Sequence, residues 1–187
     1  MILLWKNVNI DPIFVQFSHS ENIYHHFNKR STELQNLRIS VEYDDSVKKL
    51  GNQKENLVKN TLIEEAIKFW NKALKVKKPL KKLLLTRLCK SNRIVFEKGK
   101  PEFSCLDGCK EISSCGNISI PEYHLKKCRV AKKVQNWYET HEEGTEGSGI
   151  LDRDFILYVS AKETNRCGER DTIAYAAFCH QDALTDR

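Results

Sequence analysis

No cysteine occurs before position 89, and all seven then fall between Cys89 and Cys179. No apolar run approaches the roughly 20 residues a helix needs to cross a bilayer, so the sequence contains no candidate spanning helix. An export signal is also missing. Met1-Ile-Leu-Leu-Trp5 is apolar but short, Lys6 follows it, and no basic residue precedes it. The expectation is that the protein is not exported or that its natural start lies upstream. Acidic residues are absent from Ala66 to Phe96, where ten basic residues lie; since the whole chain carries +6, the remainder carries −4.

What is present is ordinary for a globular chain. The 187 residues, 40% hydrophobic and 30% charged, suffice for one medium domain with a real core. The basic segment has two readings. It attracts phosphates or anionic lipid, or it is the solvated face of a lysine-rich helix and loop. The second is preferred because the lysines fall at helical spacing and no nucleic-acid motif accompanies them, so no nucleic-acid partner is expected. The clustered cysteines suggest disulfides and an oxidising compartment. An odd count leaves one cysteine over, either because its partner lies further on or because it is a free buried thiol. The expected location is extracellular, secretory or membrane-associated, with the cytoplasm left open by the missing signal.

Residues 1–36 show no sustained period, and Ser18–Arg30 is polar and histidine-rich (His19, His25, His26). This part reads as a poorly ordered leader, and 37–187 as the folded part. Leu37, Ile39, Val41 and Tyr43 alternate with Arg38, Ser40 and Glu42, which predicts a strand with one buried face. Asn52 with Glu55 three residues later predicts a capping box opening a long helix. Val58, Leu62, Ala66, Phe69, Ala73 and Val76 make one apolar stripe; Ile63, Ile67, Trp70 and Leu74 make the next. Pro79 is expected to end the segment. Leu83–Leu88 predicts a second strand, Cys89–Cys128 a loop-rich stretch, and 139–149, with three glycines among acids, an exposed loop. Phe155–Val159 is a continuous apolar run, typical of a strand buried on both faces. Thr172–Cys179 predicts a last strand. The resulting fold class is α/β (α+β): a long amphipathic helix packed on a mixed twisted sheet, with a cysteine-rich loop.

The chain lacks the HExxH pattern, which sets two histidines on one helix face around a general-base glutamate. Four residues after His19, His25, His26, His124, His141 and His180 stand Ile23, Lys29, Arg30, Cys128, Thr145 and Leu184. No catalytic or metal-binding residue is therefore assigned. Cys105, Cys109, Cys115, His124 and Cys128 admit a zinc module, which with the lysine segment gives a minor nucleic-acid alternative. The preferred reading is a disulfide-stapled loop in which His124 is a loop histidine. Cys89, Cys105, Cys109, Cys115, Cys128, Cys167 and Cys179 are the candidate disulfide cysteines, and Cys167–Cys179 is the one pairing guessed. Cys179 and His180 are neighbours on an expected strand and point to opposite faces, which disfavours a nucleophile–base pair. Asn117-Ile118-Ser119 is the sole glycosylation sequon, relevant only in the secretory pathway.

Several stretches together resemble the leishmanolysin family, most closely its invadolysin-like branch. They are Tyr43-Asp-Asp-Ser-Val47; Asn56–Asn60 running into Ala66-Ile67, Phe69-Trp70 and Ala73-Leu74; Cys89; Cys105-x3-Cys109; Cys115-Gly116; Pro121; His124-Leu125; and Cys128. Asp154–Ala161, Arg166-Cys-Gly168, Ala174–Ala177 and Cys179 complete the series, which covers about 37–187. The resemblance implies a zinc metalloendopeptidase acting on peptides or proteins, with a metzincin-like domain of which this chain is the upper half. The zinc-binding helix, the zinc ligands and the methionine turn are then expected beyond this chain, whose only methionine is Met1. In such folds an edge strand aligns the substrate by backbone pairing. The resemblance also implies a pro-region cysteine, absent from 1–88, and a shorter connection than Arg129–Gly149. On this reading the 187 residues alone are inactive. The alternative is a non-catalytic binding or decoy domain using the cysteine-rich loop.

Overall fold

The structure, a computed structural model, describes residues 34–96, 102–168 and 174–179. All but the last three residues of the expected leader lie outside that set, as does His180. The first elements are strands β1 (Gln35–Asn36) and β2 (Ile39–Tyr43), a short helix α1 (Asp45–Lys48), and a long helix. The long helix runs through α2 (Asn52–Asn56), a π-helical stretch (Leu57–Ile63) and α3 (Glu64–Ala73). Strands β3 (Lys75–Val76), β4 (Lys82–Leu83), β5 (Ile94–Phe96), β6 (Phe103–Cys105), β7 (Ser114–Cys115) and β8 (Ile118–Ser119) follow. A 3-10 turn (Glu122–His124) leads to β9 (Cys128–Val134), β10 (Trp137–Glu143), β11 (Ile150–Leu151), β12 (Phe155–Val159) and a last short helix α4 (Asn165–Gly168).

The expected class holds: one long helix with several small sheets. Among the described residues, β12 pairs in parallel with β2 over five residues, and β10-β9-β6-β5 form a mixed four-stranded sheet. β12 is the hinge of the packing, because successive side chains of a strand leave on opposite faces. Leu157 and Val159 join Val47, Val58 and Ile63 in the core under the helix. Tyr158 joins Cys115, Ile118, Ile120 and Leu125 in the core of the cysteine-rich part, with Ile156 packed alongside. A run of apolar residues is needed here because both faces are covered.

The helix departs from its expected outline in three ways. No capping box forms: Gly51 is the N-cap, at φ 80°, while Asn52 is already helical and Glu55 pairs with Lys59. The two buried residues of its middle are Val58 and Ile63, five apart rather than four. That spacing matches the i to i+5 hydrogen-bond span of a π turn, and in the widened stretch Ile63 rather than Leu62 is buried with Val58. The helix also stops at Ala73, well before Pro79, because Lys75–Val76 turn aside to pair with β1.

Three further expectations are corrected. Of the expected second strand Leu83–Leu88, only Leu83 lies in a strand, the two-residue β4 that pairs with β11. Leu85 instead bonds to the segment around Leu125, and the Leu88 N–H donates to Ser113 Oγ at 3.0 Å. Residues 139–143 are not loop but part of β10, zipped antiparallel onto β9 through seven pairs. Glu139 faces Lys132 and Glu142 faces Arg129, so acids that look solvated in sequence are cross-strand partners of basic residues. Finally, Ala174–Cys179 form no strand.

Candidate functional site

The densest chemistry lies where the cysteine-rich part meets β2 and β12. Six cysteines form three disulfides: Cys89–Cys105, Cys109–Cys128 and Cys115–Cys179. The first two lie side by side, with Cys105 Sγ 3.7 Å from Cys109 Sγ. Cys179 thus bridges Cys115, not Cys167 as guessed from sequence. Cys167 sits on α4 as a free thiol, 3.5 Å from Thr164 Oγ1. Spacing along the chain misleads here because Cys179 returns across β7, where an apolar cleft of about 140 Å³ is lined by Leu85, Ile120, Ile156, Tyr158 and Ala177 among others.

His124 is not a loop histidine in solvent. The 3-10 turn after Pro121 carries it inward until it is 1% exposed. Its Nδ1 lies 2.7 Å from the Tyr158 hydroxyl, and its Nε2 lies 3.8 Å from Glu42 Oε1. The Tyr123 hydroxyl donates to the same Glu42 oxygen at 3.1 Å. Burial lowers the His124 pKa, and Glu42 only partly offsets it. Burial, then Glu42 and Tyr123, push the Tyr158 phenol up. Tyr158 therefore stays protonated, and its hydroxyl shares a hydrogen bond with Nδ1 of a neutral imidazole. The cluster ties β2, the turn and β12 together, with His124 and Tyr158 buried and Glu42 and Tyr123 reaching the surface.

A second polar knot holds the other end of β12. Arg38 donates to Asp154 through Nε at 2.8 Å and Nη2 at 2.9 Å, while the backbone N–H groups of Arg38 and Leu80 donate to the same carboxylate at 3.1 and 2.7 Å. Burial would raise the Asp154 pKa, but these donors outweigh it and hold it below the usual carboxylate value. At the far end of β2, Asp44 caps α1 by accepting from the Ser46 N–H at 2.9 Å, and Lys162 reaches its other oxygen at 3.0 Å.

The basic run is partly neutralised by acids that lie outside it. Arg87 grips Glu122 at 3.0 and 2.6 Å, Lys82 meets Glu146 at 2.9 Å, and Arg93 meets Asp107 at 3.4 Å. Those partners lie 14 to 64 residues away, which no local charge count reveals.

Known proteins share part of this sequence. The leishmanolysin-like peptidase of Drosophila pseudoobscura pseudoobscura is 38% identical over 169 residues, 90% of this chain and 24% of that protein. The peptidase of the same name from Caenorhabditis elegans is 37% identical over 151 residues, 81% of this chain and 22% of that protein. This chain belongs to the leishmanolysin-like family. It spans about a quarter of the length of these relatives. The ciliated left-right organizer metallopeptidase of Xenopus laevis is 36% identical over a shorter stretch, 36% of this chain and 9% of that protein. No family model matches the chain, and no solved structure matches it.

The Xenopus relative is named a metallopeptidase, and the donors of this leishmanolysin-like segment do not fit a metal. Three pairs of cysteine sulfurs are bonded to each other, and His124 is spent on Tyr158. Among the described residues no three His, Cys, Asp or Glu side chains converge as metal ligands. The zinc-module alternative fails on the same chemistry, because a disulfide sulfur is not a thiolate ligand. Sequence reasoning missed the His124–Tyr158–Glu42 cluster. Its signals were only a histidine after Pro121 and a tyrosine inside an apolar strand.

Proposed function

We propose that this chain is the scaffold part of a zinc metalloendopeptidase domain, and that the residues holding zinc and moving protons belong to the rest of a longer protein. The observation that carries this reading is the 38% identity across 90% of the chain to a leishmanolysin-like peptidase. The absence of HExxH from the 187 residues supports the division of labour. So does the second half of the long helix, where Phe69, Trp70 and Leu74 are exposed although they belong to its apolar face. Substrates are peptides or proteins; nucleic acid is not a partner on this reading. The three disulfides support a secretory, extracellular or membrane-associated location.

The deciding experiment compares the longer natural protein with purified 1–187 on a quenched fluorescent peptide library, with and without a chelator. The longer protein cleaves, the chelator stops it, and 1–187 is inert. Chelator-sensitive cleavage by 1–187, or none by the longer protein, overturns the proposal.

A further inference from the structure

We propose that Asn117 carries an N-linked oligosaccharide, an inference that rests on the oxidising compartment proposed above. The sequon Asn117-Ile118-Ser119 spans the turn and second strand of the β7–β8 hairpin. Cys115 pairs with Ile118, so Gly116 and Asn117 are the two-residue connection. Gly116 takes φ 58°, which a hairpin turn of this length requires and glycine supplies without strain. Asn117 is then presented at the tip, exposed to solvent. Ile118 points inward at 8% exposure, while Ser119 returns to the exposed side. The two residues that matter to a glycosyl transferase therefore both face solvent, and the intervening one anchors the hairpin in the core. A side chain placed at Gly116 would meet nothing within 4 Å, so no neighbour crowds the turn at that residue.

Chemistry and timing agree with that geometry. In the transfer, Asn117 Nδ2 attacks the anomeric carbon of a polyprenyl-pyrophosphate-linked oligosaccharide. The C–N bond forms, the C–O bond to pyrophosphate breaks, the lipid pyrophosphate leaves with the electron pair, and one Nδ2 proton passes to a base of the transferase. The acceptor must be extended at that moment. The hairpin is locked by Cys115–Cys179, whose partner follows 64 residues later, so a chain entering the compartment from its N-terminus exposes Asn117 before the lock can close. The folded structure then tolerates the sugar because the tip is not covered.

The test uses the longer natural protein produced in a eukaryotic host. Digestion with an amidase that removes Asn-linked glycans is read by mass spectrometry on the peptide containing Asn117, together with the oxidation state of the cysteines. The expected result is Asn117 converted to Asp by the amidase, and loss of the modified peptide in Ser119→Ala but not in Ser119→Thr. An unmodified Asn117 in protein whose disulfides have formed overturns the glycan and leaves the compartment standing. An unmodified Asn117 in protein with reduced cysteines overturns both.

Discussion

Asp154 and Arg38, 116 residues apart in sequence, form a two-pronged ion pair that closes the start of the parallel β2–β12 pair. The Asp154 side chain is 5% exposed, and it also accepts the N–H groups of Arg38 and Leu80. Replacing it by alanine strands the two backbone donors and leaves the Arg38 guanidinium with only Asp152 and the Leu80 carbonyl, and Asp154→Ala should cost about 2–3 kcal/mol in urea unfolding. The pH dependence has a definite sign. The folded pKa of Asp154 is lowered, so its contribution is complete above the unfolded value of about 3.9 and is lost as pH falls toward the folded one. Asp154→Asn should flatten the stability profile below pH 4 while leaving the slope above pH 5 unchanged.

Tyr158 and His124 make a separate contribution. Tyr158→Phe removes the hydrogen-bond partner of Nδ1 on a buried imidazole and should destabilise by about 1–2 kcal/mol. Because burial lowers the His124 pKa, the unfolded chain takes up the proton first, and stability falls as pH drops below about 6.5. That slope should vanish in His124→Phe. Thermal unfolding of the two single variants and the double variant from pH 5 to 8 separates the terms; a pH 5–6.5 slope that survives in His124→Phe counts against the assignment.

How much of this was legible in the sequence follows from the range of the interactions. Period two in 37–43 and the apolar run 155–159 located β2 and β12, because each strand's pattern records which of its faces is covered. The long helix was legible for the same reason. Its π turn was not, since nothing in the order Leu57–Ile63 distinguishes bonding to the fourth residue from bonding to the fifth. The acids Glu139 and Glu142 were misread as loop because their meaning depends on Lys132 and Arg129 across a hairpin. The cysteine cluster announced disulfides, but its pairing depended on where 174–179 returns, which spacing does not encode.

Gly51 illustrates the difference between a local pattern and the backbone that uses it. It caps the long helix at φ 80°, and a Cβ there meets no neighbour within 4 Å, so the only penalty of a side chain is conformational. Gly51→Ala should therefore cost about 1 kcal/mol. Asn52→Ala should cost less, since Asn52 is not the cap. The reverse order of the two losses in chemical denaturation would restore the capping box expected from Asn52 and Glu55.

The disulfide pairing gives the sharpest contrast, because two pairings that share Cys179 predict opposite outcomes. Cys115–Cys179 closes a span of 64 residues and joins β7 to the end of the described chain, so it restricts the unfolded state strongly. Removing it in Cys115→Ser with Cys179→Ser should lower stability by about 2–4 kcal/mol. Cys167→Ser should leave stability within a few tenths of a kcal/mol, because that thiol is bonded to no other sulfur. In an unreduced peptide map, Cys115 and Cys179 should appear in one linked mass and Cys167 alone should take up an alkylating reagent. A Cys167–Cys179 link would instead free Cys115, which is 6% exposed in the second core, and an alkylating group could reach it only by opening that core. The site of labelling therefore distinguishes the pairings without any measurement of stability.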